Sequence, residues 1–264
     1  MIFESKHGII MGFANDKSMA AAIAKKIHAE GGRLGFSHLP DTDDRRRMAK
    51  RVESVAQDLN PMLIHPCDVT DPSSVESFFS EVGKSMPKID FLVHSIAFAP
   101  VDDIRCQTID ASKDGFLKAM EISVYSLIEV ARAAKPYMQD GGAICTMTYL
   151  GGERVMPGYN MMGICKSALD TTVKYLAAEL GTANIRVNAL SAGPMRTLAA
   201  SAIGDFKQTL EQYRMQSPIK RNITPEDLGN AACFLLSDLG SATTGEILHV
   251  DCGYNIMGAP PKTD

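Results

Sequence analysis

Short apolar runs alternate with longer amphipathic stretches along the entire chain. The apolar runs predict strands at 8–12, 33–38, 62–65, 89–94, 142–147, 185–190 and 246–251. Helical patterns fill the intervals, and several begin with residues that favour helix N-termini, such as Ser18, or Asp71 followed by Pro72. Repeated strand–helix alternation is typical of right-handed βαβ units. We therefore predict an α/β fold, a doubly wound parallel sheet of about seven strands with helices on both faces.

The turn after the first strand is a candidate phosphate-binding site, because open α/β sheets bind ligands beyond the carboxyl ends of their strands. Gly12 ends the strand, few bulky side chains follow, and Ser18 and Met19 open the next helix. The N-terminus of that helix can face a pyrophosphate. The G-x-G-x-x-G pattern is absent, so a plain βα turn without a ligand is an equal alternative.

Other strand ends indicate where the remainder of a dinucleotide would lie. Asp68 can accept a hydrogen bond from an adenine amino group, although an ordinary loop aspartate fits equally well. Small residues around 95–97 and at Gly193 leave room for a ring or phosphate against the backbone. The strand end before Leu39 has neither an acidic residue for a ribose 2′-hydroxyl nor an arginine for a 2′-phosphate. The arginines at 45–47 lie several residues later and are typical of a solvated helix start.

The segment from Thr148 to Lys166 carries the strongest candidate chemistry. Tyr149 and Tyr159 are ten positions apart, and Lys166 follows Tyr159 by seven, which is close to two helical turns. Tyr159 and Lys166 should therefore share one helix face. A phenol beside an ammonium can stabilise a developing oxyanion and hold a ribose.

Composition and charge narrow the function further. The chain has 264 residues, a net charge of −4 and a pI near 5.9, which disfavours nucleic acid or a membrane surface as the main partner. Six scattered cysteines form no C-x-x-C pair, so we expect free thiols in a reducing cytoplasm, and no metal. No transmembrane or signal-peptide pattern is present. Without a linker or repeat, residues 1–264 are predicted to form one domain.

Several of these segments together resemble the enoyl-acyl-carrier-protein reductases of bacterial type II fatty-acid synthesis, a divergent branch of the short-chain dehydrogenase/reductase superfamily. The resemblance covers essentially the whole chain. It includes the first βα turn and the segments CDV, HSIAFAP, YLGGERVMPGYNMMGICK, SAGPMRTLAAS and HVDCGY.

The spacing of tyrosine and lysine is the most specific part of this resemblance. The wider superfamily has its lysine four residues after the tyrosine, where this chain has Gly163. It also has a serine about a dozen residues before the tyrosine, near which this chain has Thr146 and Thr148, followed by Tyr149. The spacing therefore favours reduction of C=C rather than C=O bonds.

The resemblance implies a Rossmann-like fold and a role for each matching residue. Tyr159 would hydrogen-bond the thioester carbonyl and stabilise an enolate. Lys166 would bind the nicotinamide ribose and lower the pKa of Tyr159, and Tyr149 would be catalytic or position the substrate. Cofactor contacts are implied at Gly12, Ser18, Met19, Leu39, Asp68, Val69, Ser95, Ile96, Ala97, Lys166, Gly193, Met195, Arg196, Thr197, Leu198 and Ala199. Substrate contacts are implied at Ala99, Tyr149, Tyr159, Met162, Ala200 and Ile203.

The implied reaction is hydride transfer from NADH to C3 of a trans-2-enoyl thioester on acyl carrier protein, followed by protonation at C2. A longer segment around 40–48 leaves NADPH open, but the absence of a basic residue at the strand end favours NADH. The resemblance also implies a homotetramer. The alternatives are a short-chain carbonyl or alcohol dehydrogenase and, less favoured, a non-catalytic NAD-binding regulator.

The apolar residues at 156–162 and 198–203 permit two interpretations. They can be ordinary core, or they can form a flexible apolar wall for an acyl chain beside Tyr159. We favour the wall, and we expect a substrate-binding lid around 195–212.

Overall fold

One parallel sheet organises the protein, and it confirms the predicted α/β architecture. The computed structural model describes residues 1–195 and 206–259. The sheet has seven strands in the order β3-β2-β1-β4-β5-β6-β7, and all neighbouring strands are parallel. The strands are β1 (His7–Met11), β2 (Arg33–His38), β3 (Leu63–Pro66), β4 (Phe91–His94), β5 (Gly142–Thr148), β6 (Ile185–Ala192) and β7 (Ile247–Val250).

Helices connect these strands and begin largely where the sequence predicts. They are α1 (Met19–Ala29), α2 (Arg47–Ala56), α3 (Pro72–Ser85), α4 (Val101–Arg105), α5 (Lys113–Met120), α6 (Ser126–Ala134), α7 (Asn160–Leu180), α8 (Phe206–Gln216) and α9 (Pro225–Leu236). Ser18 caps α1 by accepting a hydrogen bond from the Ala21 amide at 3.1 Å, and Asp71 caps α3. The long helical pattern predicted over 113–137 contains a π-helical turn at Glu121–Tyr125.

Two apolar layers cover the sheet, as a doubly wound fold requires. Successive β1 residues point to opposite faces, so Ile9 and Met11 pack with α3, α6 and α7, while Ile10 packs with α1 and α9. All six cysteines are free thiols. Burial raises the pKa of Cys67 and Cys145 to about 12, which makes both thiols unreactive.

The order of the strands reverses between β1 and β4, and this is where a doubly wound sheet opens a crevice. Gly12 follows β1 with φ +81°, and a Cβ at this position would lie 2.0 Å from the Ser95 carbonyl oxygen after β4. Only glycine fits so close to a neighbouring backbone. None of the helices within 1–195 and 206–259 is long and apolar enough to span a membrane.

Candidate active site

The two candidate tyrosines meet beyond the carboxyl end of β5. Tyr149 directly follows that strand, and Tyr159 immediately precedes α7. Their rings pack edge to face, with centroids 4.8 Å apart and an interplanar angle of 70°. Two phenols that are ten positions apart in sequence therefore share one wall of the site.

Two glycines allow this approach, one in the connecting turn and one in α7. A Cβ at Gly151 would lie 2.4 Å from Cδ1 of Tyr159 and 3.2 Å from Cδ1 of Tyr149. Further along, a Cβ at Gly163 of α7 would lie 2.8 Å from the Gly151 carbonyl oxygen. The position that holds lysine in the wider superfamily is thus pressed against backbone here, and the lysine is supplied by the next helical turn at Lys166.

Gly151→Ala is expected to damage the site more than the fold. The new methyl group must displace the Tyr159 ring, and overpacking of this kind costs about 1–3 kcal/mol. We expect steady-state turnover to fall at least tenfold. Gly181→Ala is the matched control, since its Cβ would meet nothing within 4 Å and its backbone is helical. Equal activity in the two variants would contradict this packing.

Lys166 lies inside α7, two turns after Tyr159. Its side chain is 5% exposed, and Nζ donates a hydrogen bond to the Met147 carbonyl oxygen at 2.8 Å. Burial lowers the lysine pKa to about 8, against the opposing influence of Asp170. One N–H of the ammonium is therefore held by β5. The ammonium loses its charge as pH rises through about 8, which lies within the usual pH range of assays.

Asp170, which the sequence analysis missed, lies one turn beyond Lys166. It is 7% exposed, and burial raises its carboxyl pKa to about 6. Among the described residues, neither its Oδ1 nor the nearby Thr148 Oγ1 has a hydrogen-bond partner. The four-residue spacing from Lys166 was the signal that could have indicated a counter-charge on the same helix face.

The pKa of Tyr159 moves in the opposite direction from the one predicted. Burial, followed by the nearby Tyr149 phenol, raises it, and Lys166 is not among the causes of the shift. The prediction that Lys166 lowers this pKa is therefore wrong in this structure, because desolvation of the phenolate is the largest influence on it. Tyr159 stays protonated and is a hydrogen-bond donor at neutral pH.

Thr146, one of two hydroxyl residues near the superfamily's serine position, faces away from this chemistry. Its Oγ1 lies 3.1 Å from Nδ1 of the fully buried His94 and donates to the His94 carbonyl oxygen at 3.1 Å. The other ring nitrogen of His94 lies 2.9 Å from Ser126 Oγ. This network joins β4, β5 and α6, so His94 is a core histidine.

His94→Gln is expected to weaken the dependence of the free energy of unfolding on pH in the acid range. Burial lowers the pKa of His94 to about 3, whereas the unfolded chain takes up this proton near its ordinary value of 6.5. Stability is thus lost as pH falls from about 6.5 towards 3, at up to about 1.4 kcal/mol per pH unit. Urea unfolding between pH 7 and 4 measures the slope of the free energy of unfolding against pH. His38→Gln, at a half-buried position at the end of β2, should keep this slope, and an unchanged slope in His94→Gln would refute the assignment.

The residues predicted to hold a dinucleotide surround the crevice between β1 and β4. Gly12, Ser18 and Met19 form the turn into α1, and the segment from Ser95 to Ala97 follows β4. Gly193 and the buried Met195 follow β6. All of them lie at the carboxyl edge of the sheet.

Two further candidates lie after β2 and β3. Leu39 is 59% exposed after β2, while Val69 is buried near the end of β3. Asp68 uses Oδ1 to accept hydrogen bonds from the Thr70 amide at 2.9 Å and from the Thr70 hydroxyl at 2.7 Å. It is therefore a loop-forming aspartate, and its Oδ2 makes no hydrogen bond within residues 1–195 and 206–259.

Some residues predicted to contact the substrate are packed in the core, and others lie outside the described residues. Ala99 and Met162 are 6% and 7% exposed and belong to the core layer that Tyr159 packs against. Met162 therefore serves as core and as support for the Tyr159 ring. Arg196, Thr197, Leu198, Ala199, Ala200 and Ile203 lie outside the described residues.

A cavity of about 720 Å³ lies beside the β1–α1 turn. Its lining comes from the β1–α1 turn, the end of β6, α8 and the start of α9, and comprises Asp16, Lys17, Pro194, Met195, Lys207, Leu210, Glu211, Asn222, Ile223 and Pro225. Oδ1 of Asn222 is buried there without a partner among the described residues. The cavity is large enough for part of a nucleotide.

Sequence reasoning also missed Tyr213 of α8. Its hydroxyl lies 2.8 Å from the Tyr149 hydroxyl although the residues are 64 positions apart. No periodicity or motif connects two such positions, so only the fold could reveal the contact.

Comparisons with known proteins agree with this geometry. Residues 12–255 match the model of the family described as enoyl-(acyl carrier protein) reductase. An enoyl-[acyl-carrier-protein] reductase [NADH] of Synechocystis is 46% identical over 253 residues, covering 96% of this chain and 97% of that protein. One from Rhizobium meliloti is 46% identical and covers 97% of this chain and 93% of that protein.

Solved structures show the same similarity in three dimensions. The reductase of Anaplasma phagocytophilum in complex with NAD superposes with a TM-score of 0.94 at 46% identity, covering 99% of this chain and 98% of that one. The Bacillus cereus reductase with NADP⁺ and an indole naphthyridinone has a TM-score of 0.94 at 43% identity, over 98% and 99% of the two chains. With a family model matching nearly its whole length and these close relatives, the chain belongs to the enoyl-(acyl carrier protein) reductase family.

Proposed function

We propose that this chain is an enoyl-[acyl-carrier-protein] reductase, which reduces the trans-2 C=C bond of enoyl thioesters with NADH in the last step of fatty-acid elongation. The observation that carries the proposal is the arrangement of Tyr159 and Lys166 two turns apart along α7, with Tyr149 against Tyr159. The close contact between Gly163 and Gly151 leaves no room for a lysine in the position used by the carbonyl-reducing branch of the superfamily.

A nicotinamide dinucleotide fits the described residues. The turn at Gly12 brings backbone close to Ser95 with no side chain between them, and the capped N-terminus of α1 offers free amides to a pyrophosphate. Lys166 has two N–H groups beyond the one held by Met147, and these can bind ribose hydroxyls. The carboxylate oxygen of Asp68 that Thr70 leaves free can accept from the adenine amino group.

The chemistry of the protein consists of positioning and oxyanion stabilisation. Reduced nicotinamide, when bound, supplies the hydride that adds to C3 of the enoyl thioester. Negative charge then develops on the thioester carbonyl oxygen, and the neutral Tyr159 hydroxyl donates a hydrogen bond to it. Such a donor acts most strongly in a site with little water, and Tyr159 is half-buried, with its ring against Tyr149 and the apolar core. Protonation of the enolate at C2 completes the saturated product.

The end of β2 supports NADH over NADPH. Leu39 there is apolar and exposed, so it offers no charge to a 2′-phosphate. Two of the three arginines at 45–47 make ion pairs of their own, Arg46 with Glu53 and Arg47 with Asp43. The Synechocystis and Rhizobium relatives carry NADH in their names, whereas the Bacillus cereus structure contains NADP⁺.

Acyl carrier protein as the carrier of the substrate, a cytoplasmic location and a homotetramer belong to the same proposal. Large apolar side chains are exposed at Leu117 and Tyr125, and contact between subunits would cover such surface. A lid around 195–212 also stays a prediction. Of that range the structure describes Met195 and the first residues of α8.

One assay tests the reaction and the cofactor together. The purified chain is mixed with a crotonyl thioester and either NADH or NADPH, and absorbance of the reduced nicotinamide is followed. We expect turnover with NADH and much slower turnover with NADPH. Turnover on a panel of ketones without turnover on the enoyl thioester would identify a carbonyl reductase. Tight NADH binding with no turnover on any enoyl thioester would identify a regulator.

A further inference from the structure

A second tyrosine pair connects α8 to the candidate site. The hydroxyl oxygens of Tyr149 and Tyr213 are 2.8 Å apart, and no other hydrogen bond of either hydroxyl is found among the described residues. Tyr213 is 3% exposed, so water is largely excluded from this contact. The bond joins the turn after β5 to a helix that is remote in sequence.

The Tyr213 ring is held rigidly on its other side. It stacks on Tyr254, with centroids 3.7 Å apart and an interplanar angle of 14°. The Tyr254 segment is itself fixed by Asp251, whose carboxylate accepts hydrogen bonds from the Gly253 amide at 2.9 Å and from the Asn255 amide at 2.8 Å. Tyr213 is therefore a preorganised group with its hydroxyl aimed at Tyr149.

The contact between the two hydroxyls fixes the position of the Tyr149 phenol. Either hydroxyl can donate in this bond, and a phenol can donate one hydrogen bond while it accepts another, so Tyr149 can still reach a substrate. Burial raises the pKa of both phenols, so both stay protonated at neutral pH. The bond therefore keeps the Tyr149 ring against Tyr159.

We propose that Tyr213 is a positioning residue for Tyr149, and that the contact between their hydroxyls holds the Tyr149 phenol beside Tyr159. The inference rests on the proposed reduction of enoyl thioesters and deepens it. It assigns a role to a residue of α8 whose hydroxyl lies 2.8 Å from that of Tyr149 and whose ring stacks on Tyr254. It also gives the C-terminal segment around Tyr254 a part in shaping the site.

Tyr213→Phe tests the inference because it keeps the ring and its stack and removes one oxygen. We expect kcat/KM for a crotonyl thioester to fall about threefold to tenfold, the range for loss of one neutral hydrogen bond, with an unchanged Kd for NADH. In a Tyr149→Phe background the same change should have no further effect, since its partner is already gone. Tyr175→Phe is the control, since Tyr175 is 68% exposed on α7, and its kcat/KM should stay within about twofold of the parent.

The outcomes separate the inference from the function on which it rests. Additive losses in the double variant, or full activity in Tyr213→Phe, would overturn the positioning role while leaving enoyl reduction intact. A parent protein that binds NADH and does not reduce the thioester would overturn the proposed function itself, and the positioning role with it. A merely structural role for Tyr213 would lower stability and activity equally in both backgrounds, and it would therefore appear as additivity.

Discussion

Tyr159→Phe will lower the turnover of a crotonyl thioester by about a hundredfold to a thousandfold, the usual loss when one oxyanion donor is removed. The phenol is the group best placed to donate to the thioester oxygen, because burial holds it protonated. Phenylalanine keeps the ring against Tyr149, so the packing of the site should survive. Stopped-flow or steady-state oxidation of NADH measures the loss, and fluorescence titration measures NADH binding separately.

The binding of NADH should be almost unaffected by this change, which separates a role in the chemical step from a role in holding the cofactor. Tyr175→Phe is the matched control, since Tyr175 lies on the same helix and is 68% exposed. It should retain full turnover. Undiminished turnover in Tyr159→Phe would remove Tyr159 from the chemical step.

Lys166→Ala will weaken NADH binding by about tenfold to a hundredfold, the equivalent of one or two charge-assisted hydrogen bonds. The lysine is buried beside the crevice, with two donors beyond the one held by Met147. Lys174→Ala, at an exposed position of the same helix, is the control and should bind NADH normally. Fluorescence titration of the reduced nicotinamide gives each Kd.

The pH dependence of NADH binding should have the same origin. Since the pKa of Lys166 is lowered to about 8, the ammonium is present below that pH and is lost above it. The affinity of the parent protein should therefore fall as pH rises above about 8, by at most about tenfold per pH unit. Lys166→Ala should bind weakly with no such dependence, and a parallel decline in the variant would contradict this role of the lysine.

The sequence predicted the fold well, because hydrophobic periodicity and helix-capping residues act locally. The strand at 33–38 has the predicted bounds, and the others differ by only a few residues at their ends. Parallel strands in alternation with helices leave few possible topologies. The location of the site at the carboxyl edge of the sheet could therefore be predicted directly. The clustering of Gly12, Ser95 and Gly193 at that edge was therefore predictable from strand ends alone.

The finer features of the site depended on contacts that sequence patterns do not record. The close fit of Gly163 against Gly151 explains the unusual tyrosine-to-lysine spacing, but it becomes visible only when α7 and the turn are packed together. The pKa of Tyr159 was predicted in the wrong direction, because spacing suggests a neighbouring charge and says nothing of desolvation. Tyr213 was missed because a contact over 64 positions leaves no local trace.

The fate of the transferred hydride tests the central claim most directly. The enzyme is supplied with a crotonyl thioester and with NADH deuterated at the transferable position of nicotinamide C4, and the product is analysed by mass spectrometry and NMR. The proposed reaction places the deuterium at C3 of a saturated thioester, with a solvent proton at C2. Deuterium on a carbinol carbon, with the C=C bond intact, would contradict it.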